Sequence, residues 1–280
     1  MNPERSVTDA ETFHQNMNFH RTQPNPQFSN VVFSQGNSVA RSDELILAAH
    51  HGDFAQVQAL LINGASASYH SPKSHRVTAL CMAASKGHVK TMQLLLDYGA
   101  DINAMTTAGF DALYFAAVSF QAEAVRFLLE KNARMKPYIS YDHRVSLLME
   151  TLSILMPVRG MEMDQNKLSV VELLLQARIS PNGCVHEYNC KHTSNHYPDS
   201  VLSPLIQIVK SDVCQISLKF KFTLCELLRK YGVNLDERDP HGNTALHYAV
   251  QFQCPEMASY LVDVGARTNN IMNLDQQTAR

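Results

Sequence analysis

Thr78-Ala79-Leu80-Cys81-Met82-Ala83-Ala84, then Gly87-His88, then Met92-Gln93-Leu94-Leu95-Leu96-Asp97-Tyr98-Gly99-Ala100-Asp101-Ile102-Asn103 is the stretch that decides the fold. Thr78 is placed to cap the first turn of a short helix through its hydroxyl. Ala83-Ala84 is small enough to let a neighbouring helix come close. Gly87 and Gly99 stand where each helix must stop in a left-handed conformation. The leucines between them form the apolar stripe of a second helix. One such helix pair cannot cover its own stripe, so copies must stack.

Copies are present. The same pattern runs over Leu45 to Ser68, Leu113 to Arg134 and Thr244 to Asn269, and Leu80 recurs at Leu113, a spacing of 33 residues. Further apolar stripes lie at Leu173-Leu174-Leu175 and Leu227-Leu228. Period and pattern together resemble the ankyrin-repeat family, most specifically in Asp239-Pro240-His241-Gly242-Asn243-Thr244-Ala245-Leu246-His247-Tyr248-Ala249. The resemblance implies an all-α solenoid of antiparallel helix pairs joined by hairpin loops. It places six units near 43–70, 76–105, 109–138, 144–183, 202–237 and 242–272, within a repeat domain spanning 42–280. Two units depart from the pattern. The fourth opens on Ser146-Leu147-Leu148-Met149 without a small pair and carries extra residues from Met156 to Lys167. The fifth has a long stretch from Val213 to Thr223, to be read as an extended helix or an inserted loop.

Residues 1–41 are polar and lack sustained periodicity, which predicts disorder, with Phe28 to Phe33 as an alternative linear motif. Asn273 to Ala279 reads like the opening of a seventh unit.

Composition narrows the function. With 24 Lys+Arg against 26 Asp+Glu, the chain has no basic excess for nucleic acid or an anionic membrane surface. No stretch approaches the roughly 20 apolar residues that span a bilayer, and the first residues do not form a signal peptide. Six scattered cysteines fit reduced thiols and a cytoplasmic or nuclear setting. Gly-rich phosphate loops, nucleophile elbows and His-Glu-x-x-His are absent from the sequence, so no catalytic residue and no small-molecule substrate is assigned. Cys81 and Cys225 lie on repeat helices and are read as structural thiols. His88 and His247 occupy positions where the family carries histidine for hydrogen bonding within the repeat.

One cluster invites a metal: Cys184, His186, Cys190, His192 and His196, in the long connection between the fourth and fifth units. Four of them, Cys184, Cys190, His192 and His196, match the ligand types of structural zinc, although no Cys-x-x-Cys pair is present. The expected state is a solvated loop without cofactor, with zinc as the alternative.

The resemblance implies that a protein or peptide partner lies along the concave face, touching loop tips and the ends of the first helices. By position these are His50, His51, Ser85, Lys86, Val118, Ser119, Gln251 and Phe252 on the helices, with His75, Phe110, His241 and Asn243 at the tips. Phe110, Val118, Phe120 and Phe252 are the candidate apolar anchors, with Phe120 equally readable as a gap filler. The surface histidines predict affinity that changes below about pH 6.5. The reading is a scaffold or adaptor without catalysis. Its alternatives are the recognition part of a larger protein, such as a ubiquitin-ligase receptor or a host-directed effector, and a zinc-dependent module at 184–196.

Overall fold

The computed structural model describes residues 38–72, 74–135, 138–140, 143–155, 165–182, 203–211, 218–239 and 241–268. The chain divides into units 1–37 and 38–280, and every described residue belongs to the second. The predicted disorder of the N-terminal segment therefore falls outside the described residues up to position 37. From Ser38 the chain is helical, so the first helix takes in the last residues of the stretch read as a tail. The Phe28 to Phe33 motif and the seventh-unit residues also lie outside the described set.

Twelve helices follow as six pairs among the described residues. They are α1 (Ser38–His51) with α2 (Phe54–Ile62), α3 (Ala79–Ser85) with α4 (Val89–Asp97), and α5 (Ala112–Val118) with α6 (Ala122–Glu130). The remaining pairs are α7 (Leu147–Leu155) with α8 (Gln165–Gln176), α9 (Pro204–Lys210) with α10 (Leu218–Lys230), and α11 (Ala245–Gln251) with α12 (Pro255–Asp263). Between α6 and α7 a short antiparallel hairpin, β1 (Tyr138–Ser140) and β2 (His143–Val145), pairs Tyr138 with Val145. It is one of the connecting hairpins of an all-α solenoid.

Each first helix from α3 onward starts on a side-chain cap. Thr78 Oγ1 accepts the Cys81 N–H at 3.2 Å, Asp111 the Tyr114 N–H at 3.0 Å, Ser146 the Met149 N–H at 3.2 Å and Ser203 the Ile206 N–H at 3.3 Å. At α11 a reciprocal box forms, in which His247 Nδ1 accepts the Thr244 N–H at 3.1 Å. Such caps contribute about 1 kcal/mol each. Helices α1 and α3 stop in a left-handed residue, Gly52 at φ +73° and Gly87 at φ +74°. In other units Phe120 and Gln253 take the same conformation at φ +55° and +52° without being glycine. The backbone of the repeat thus imposes the conformation even where the side chain resists it.

First helices pack against first helices in a continuous row, α1 on α3, α3 on α5 and so on to α11, with second helices forming an outer row. Ala48-Ala49, Ala83-Ala84 and Ala116-Ala117 are all buried in the inner row. Those small pairs let neighbouring first helices of the inner row pack closely. In the second half a single core joins Leu148 and Leu152 of α7, Leu205 and Val209 of α9, Leu224 and Leu228 of α10, and Met257 and Leu261 of α12. Each fully buried leucine there contributes about 2 kcal/mol.

The two irregular units keep the plan. Counted from the cap Ser146, Thr151 and Leu152 of α7 stand where Ala83-Ala84 stands in the second unit, and both are fully buried. Residues 156–164 and 212–217 are outside the described set, and α10 begins at Leu218 with 13 residues against nine in α4 and α6. The long stretch before Cys225 therefore includes an extended helix.

At four junctions among the described residues a side chain ties the outer turn of one unit to that of the next. Ser68 Oγ donates to the Gly99 carbonyl (2.6 Å), Asn103 Oδ1 accepts the Arg134 N–H (2.8 Å), Asn182 Oδ1 the Asn234 N–H (2.6 Å) and Asp236 Oδ1 the Arg267 N–H (2.9 Å).

Candidate binding surface

The inner row carries a line of side chains, two each at the ends of α1, α3, α5 and α11. His51, Lys86, Gln251 and Phe252 are exposed, and His50, Ser85 and Ser119 are half-buried. Beyond them stand the tips, with His75 and His241 exposed and Phe110 and Asn243 half-buried. The frame below is fixed by the tip hydrogen bonds. The His75 carbonyl accepts both the N–H and the hydroxyl of Thr107, at 2.9 and 3.3 Å, which couples the second tip to the third.

Three positions, Val118, Phe110 and His50, differ from what spacing predicts. Val118 is 3% exposed and cannot serve as an anchor. Its helix α5 is flanked by α3 and α7, so the last residue of the helix falls inside the stack. Phe110 lies flat on Tyr114, ring centroids 3.9 Å apart and planes 7° from parallel, so one face of its ring is already covered. Phe120 packs against the second-half core, with Lys167 Nζ 5.8 Å from its ring centroid, and fills a gap between units. Phe252, at 49% exposure, is the apolar side chain of the set that stands open. It directly follows α11, which has α9 beside it in the inner row. Its ring continues that of Tyr248, 6.0 Å away, which in turn carries Lys210 Nζ 5.0 Å above it.

The sixth tip is held from beneath by a buried carboxylate that sequence spacing did not single out. Asp239 accepts the His241 and Asn243 N–H groups at 2.9 and 2.8 Å and the Tyr248 hydroxyl. An Asp four residues before Asn243, within the tip motif, was the available signal.

The third difference is electrostatic. His50 packs edge-on to His51 at 5.2 Å, and burial first, then the charges of Lys86, His51 and His88, push its pKa down to about 4. Affinity changes near pH 6.5 therefore do not come from His50. His88, expected to be structural, donates Nε2–H to the His50 carbonyl at 3.2 Å.

The candidate thiols are buried. Burial pushes Cys81 up to about 11 and Cys225 up to about 12, so neither holds appreciable thiolate near neutral pH. Cys184, Cys190, His192 and His196 lie outside the described residues. Among the described residues no group of three or more His, Cys, Asp or Glu is placed to hold a metal. No helix among them is long and apolar enough to cross a membrane.

Stacked helix pairs with a row of solvent-facing side chains along the inner edge define a repeat solenoid of the kind that serves as a protein-interaction module. A family model for three copies of the ankyrin repeat matches residues 45–138 and 163–272, and the chain belongs to the ankyrin-repeat family. Among solved structures the fold is similar to the ankyrin repeat domain of human ASB11, with 23% identity and a TM-score of 0.60 over 84% of this chain and 89% of that one. It is also similar to the ankyrin repeat domain of Bcl-3, with 21% identity and a TM-score of 0.62 over 84% and 91%. At that identity the likeness concerns the fold. Among curated proteins the chain is 36% identical over 107 residues to mouse cortactin-binding protein 2, covering 38% of this chain and 6% of that one. It is 27% identical over 236 residues to mouse ankyrin repeat and MYND domain-containing protein 1, covering 76% and 24%. The match to the probable E3 ubiquitin-protein ligase XBOS33 of Oryza sativa subsp. japonica is 34% over 97 residues, covering 34% and 19%. The chain thus spans under a quarter of the length of these relatives.

Proposed function

We propose that this chain is a non-catalytic scaffold or adaptor that holds a protein or peptide along its inner row of first-helix ends and tips, inside the cell. The observation that carries the reading is that row itself: exposed side chains from successive units, on a frame fixed by helix stacking, with Phe252 open at one end. A rigid surface binds with little ordering cost. The buried thiols at Cys81, Cys225 and Cys254 suit a reducing cytoplasmic or nuclear setting.

A second reading, that the array is the recognition part of a longer protein such as a ubiquitin-ligase receptor, is supported by relatives in which the matching segment is a small share of the whole. The zinc-dependent module at 184–196 lies outside the described residues.

The test is affinity capture with the intact chain, a Phe252→Ala/Ser119→Trp variant on the inner row, and Val262→Ala on α12, where Val262 is 43% exposed on the outer row. Loss of a partner in the first variant alone, with unchanged melting, supports the reading. Equal capture by all three overturns it.

A further inference from the structure

The net charge of −2 conceals a segregation. In the outer row both signs occur and pair with each other: Arg126 with Glu123 at 3.7 Å, Arg229 with Glu226 at 2.8 Å, and Lys230 with Glu172 at 2.9 Å. In the inner row the helix ends and tips present cations at Arg76, Lys86 and Lys210. Arg76 and Lys86 are exposed, and neither has an ion-pair partner among the described residues.

Carboxylates on the same side are engaged from within. Asp43 accepts the Ser71 hydroxyl at 3.1 Å, Asp111 caps α5, and Asp239 holds the sixth tip. The exception is Glu44, exposed on α1. His51 and His75, also exposed, stand on the same helix ends and tips of the first two units. The positive field is felt locally, since Lys86 is the leading charge that depresses His50 after burial.

We propose that the partner held on this face is an acidic protein segment with apolar residues interspersed. Its carboxylates meet Arg76 and Lys86 and an apolar side chain lies on Phe252. This deepens the scaffold reading above and rests on it. A nucleic acid would need many more cations along its track than this face supplies, and it would leave Phe252 without an apolar counterpart. Because the cations are exposed, the attraction sets partner choice and association rate and weakens as salt rises.

The experiment uses the full chain and fluorescein-labelled peptides that alternate Glu with Leu and Phe. Comparison probes are the same peptides with Gln for Glu and a labelled single-stranded oligonucleotide. Fluorescence anisotropy should give binding of the Glu peptides at least about tenfold tighter than of the Gln peptides, and weaker as salt rises. Arg76→Glu/Lys86→Glu should weaken it by about tenfold, the neutral Arg76→Gln/Lys86→Gln by less, and the outer-row Arg126→Glu/Lys131→Glu should leave it unchanged.

No binding of the Glu peptides, equal binding of Glu and Gln peptides, or indifference to both inner-row charge variants overturns the proposal. So does tighter binding of the oligonucleotide. If Phe252→Ala/Ser119→Trp abolishes peptide binding while the charge variants do nothing, the inner row remains the binding face and the acidic class falls. If none of these variants matters, both readings fall. Melting curves on each variant separate lost contacts from lost fold.

Discussion

His88, in the second unit, donates its Nε2–H to the main-chain carbonyl of His50 in the first at 3.2 Å, and its ring occupies the space that a Cβ on Gly52 would need. A methyl at Gly52 would meet three ring atoms at 2.5 to 2.7 Å. Turn conformation and inter-unit hydrogen bond are therefore one device, and neither can be altered alone.

Gly52→Ala is expected to destabilise the array by about 2–3 kcal/mol, the sum of left-handed strain and a displaced hydrogen bond. Gly64→Ala, at φ +84° with open space around its Cβ, should cost only the strain, about 1–2 kcal/mol. Urea denaturation of both checks this, and equal losses would show that the His88 contact is idle.

His50 should stay neutral until about pH 4 in the folded chain, against 6.5 in the unfolded one. Between those values the unfolded state binds a proton that the folded state does not. The contribution of His50 to stability is therefore full above about pH 6.5 and falls as pH drops toward 4. Lys86→Gln should raise the His50 pKa yet leave it below 6.5, because burial is the larger cause. An NMR titration of the His50 ring in both proteins reads this directly.

Val118→Ala and Phe252→Ala, at equivalent or adjacent ends of α5 and α11, should behave in opposite ways. The buried valine should cost about 2 kcal/mol of stability. The open phenylalanine should cost under about 1 kcal/mol while reducing partner capture. Reversed rankings in thermal melts would contradict the assignment of inside and outside along the inner row.

Tyr248→Phe removes the hydroxyl donor to buried Asp239 and leaves that carboxylate with the His241 and Asn243 N–H groups. A loss of about 1–3 kcal/mol is expected, with faster amide exchange concentrated at the sixth tip. Unchanged exchange at His241 and Asn243 would show that the tip does not depend on the tyrosine.

Helix pairs, caps and turn residues were legible because each is a local demand: Thr78 and Thr244 begin helices, and Gly87 and Gly99 end them, for reasons contained in a few residues. Burial at the helix ends was not. Val118 and Phe252 hold adjacent positions in the repeat pattern, but α5 has neighbours on both sides and α11 has α9, and spacing does not encode that difference. Phe120 takes a glycine conformation where packing against the second-half core offsets the strain. The charge segregation was hidden for the same reason. Asp43, Asp111 and Asp239 count as negative in composition, yet each faces a hydrogen-bond donor of the fold.

The turn-to-turn ties from Ser68 to Gly99, Asn103 to Arg134, Asn182 to Asn234 and Asp236 to Arg267 run along the outer edge like stitches in a seam. A pull applied to the two termini loads these stitches in series, so the weakest opens while the others still hold. Mechanical extension of the chain should then proceed in discrete steps, each releasing about one helix pair, and a partner gripping several units at once would act as a splint against it.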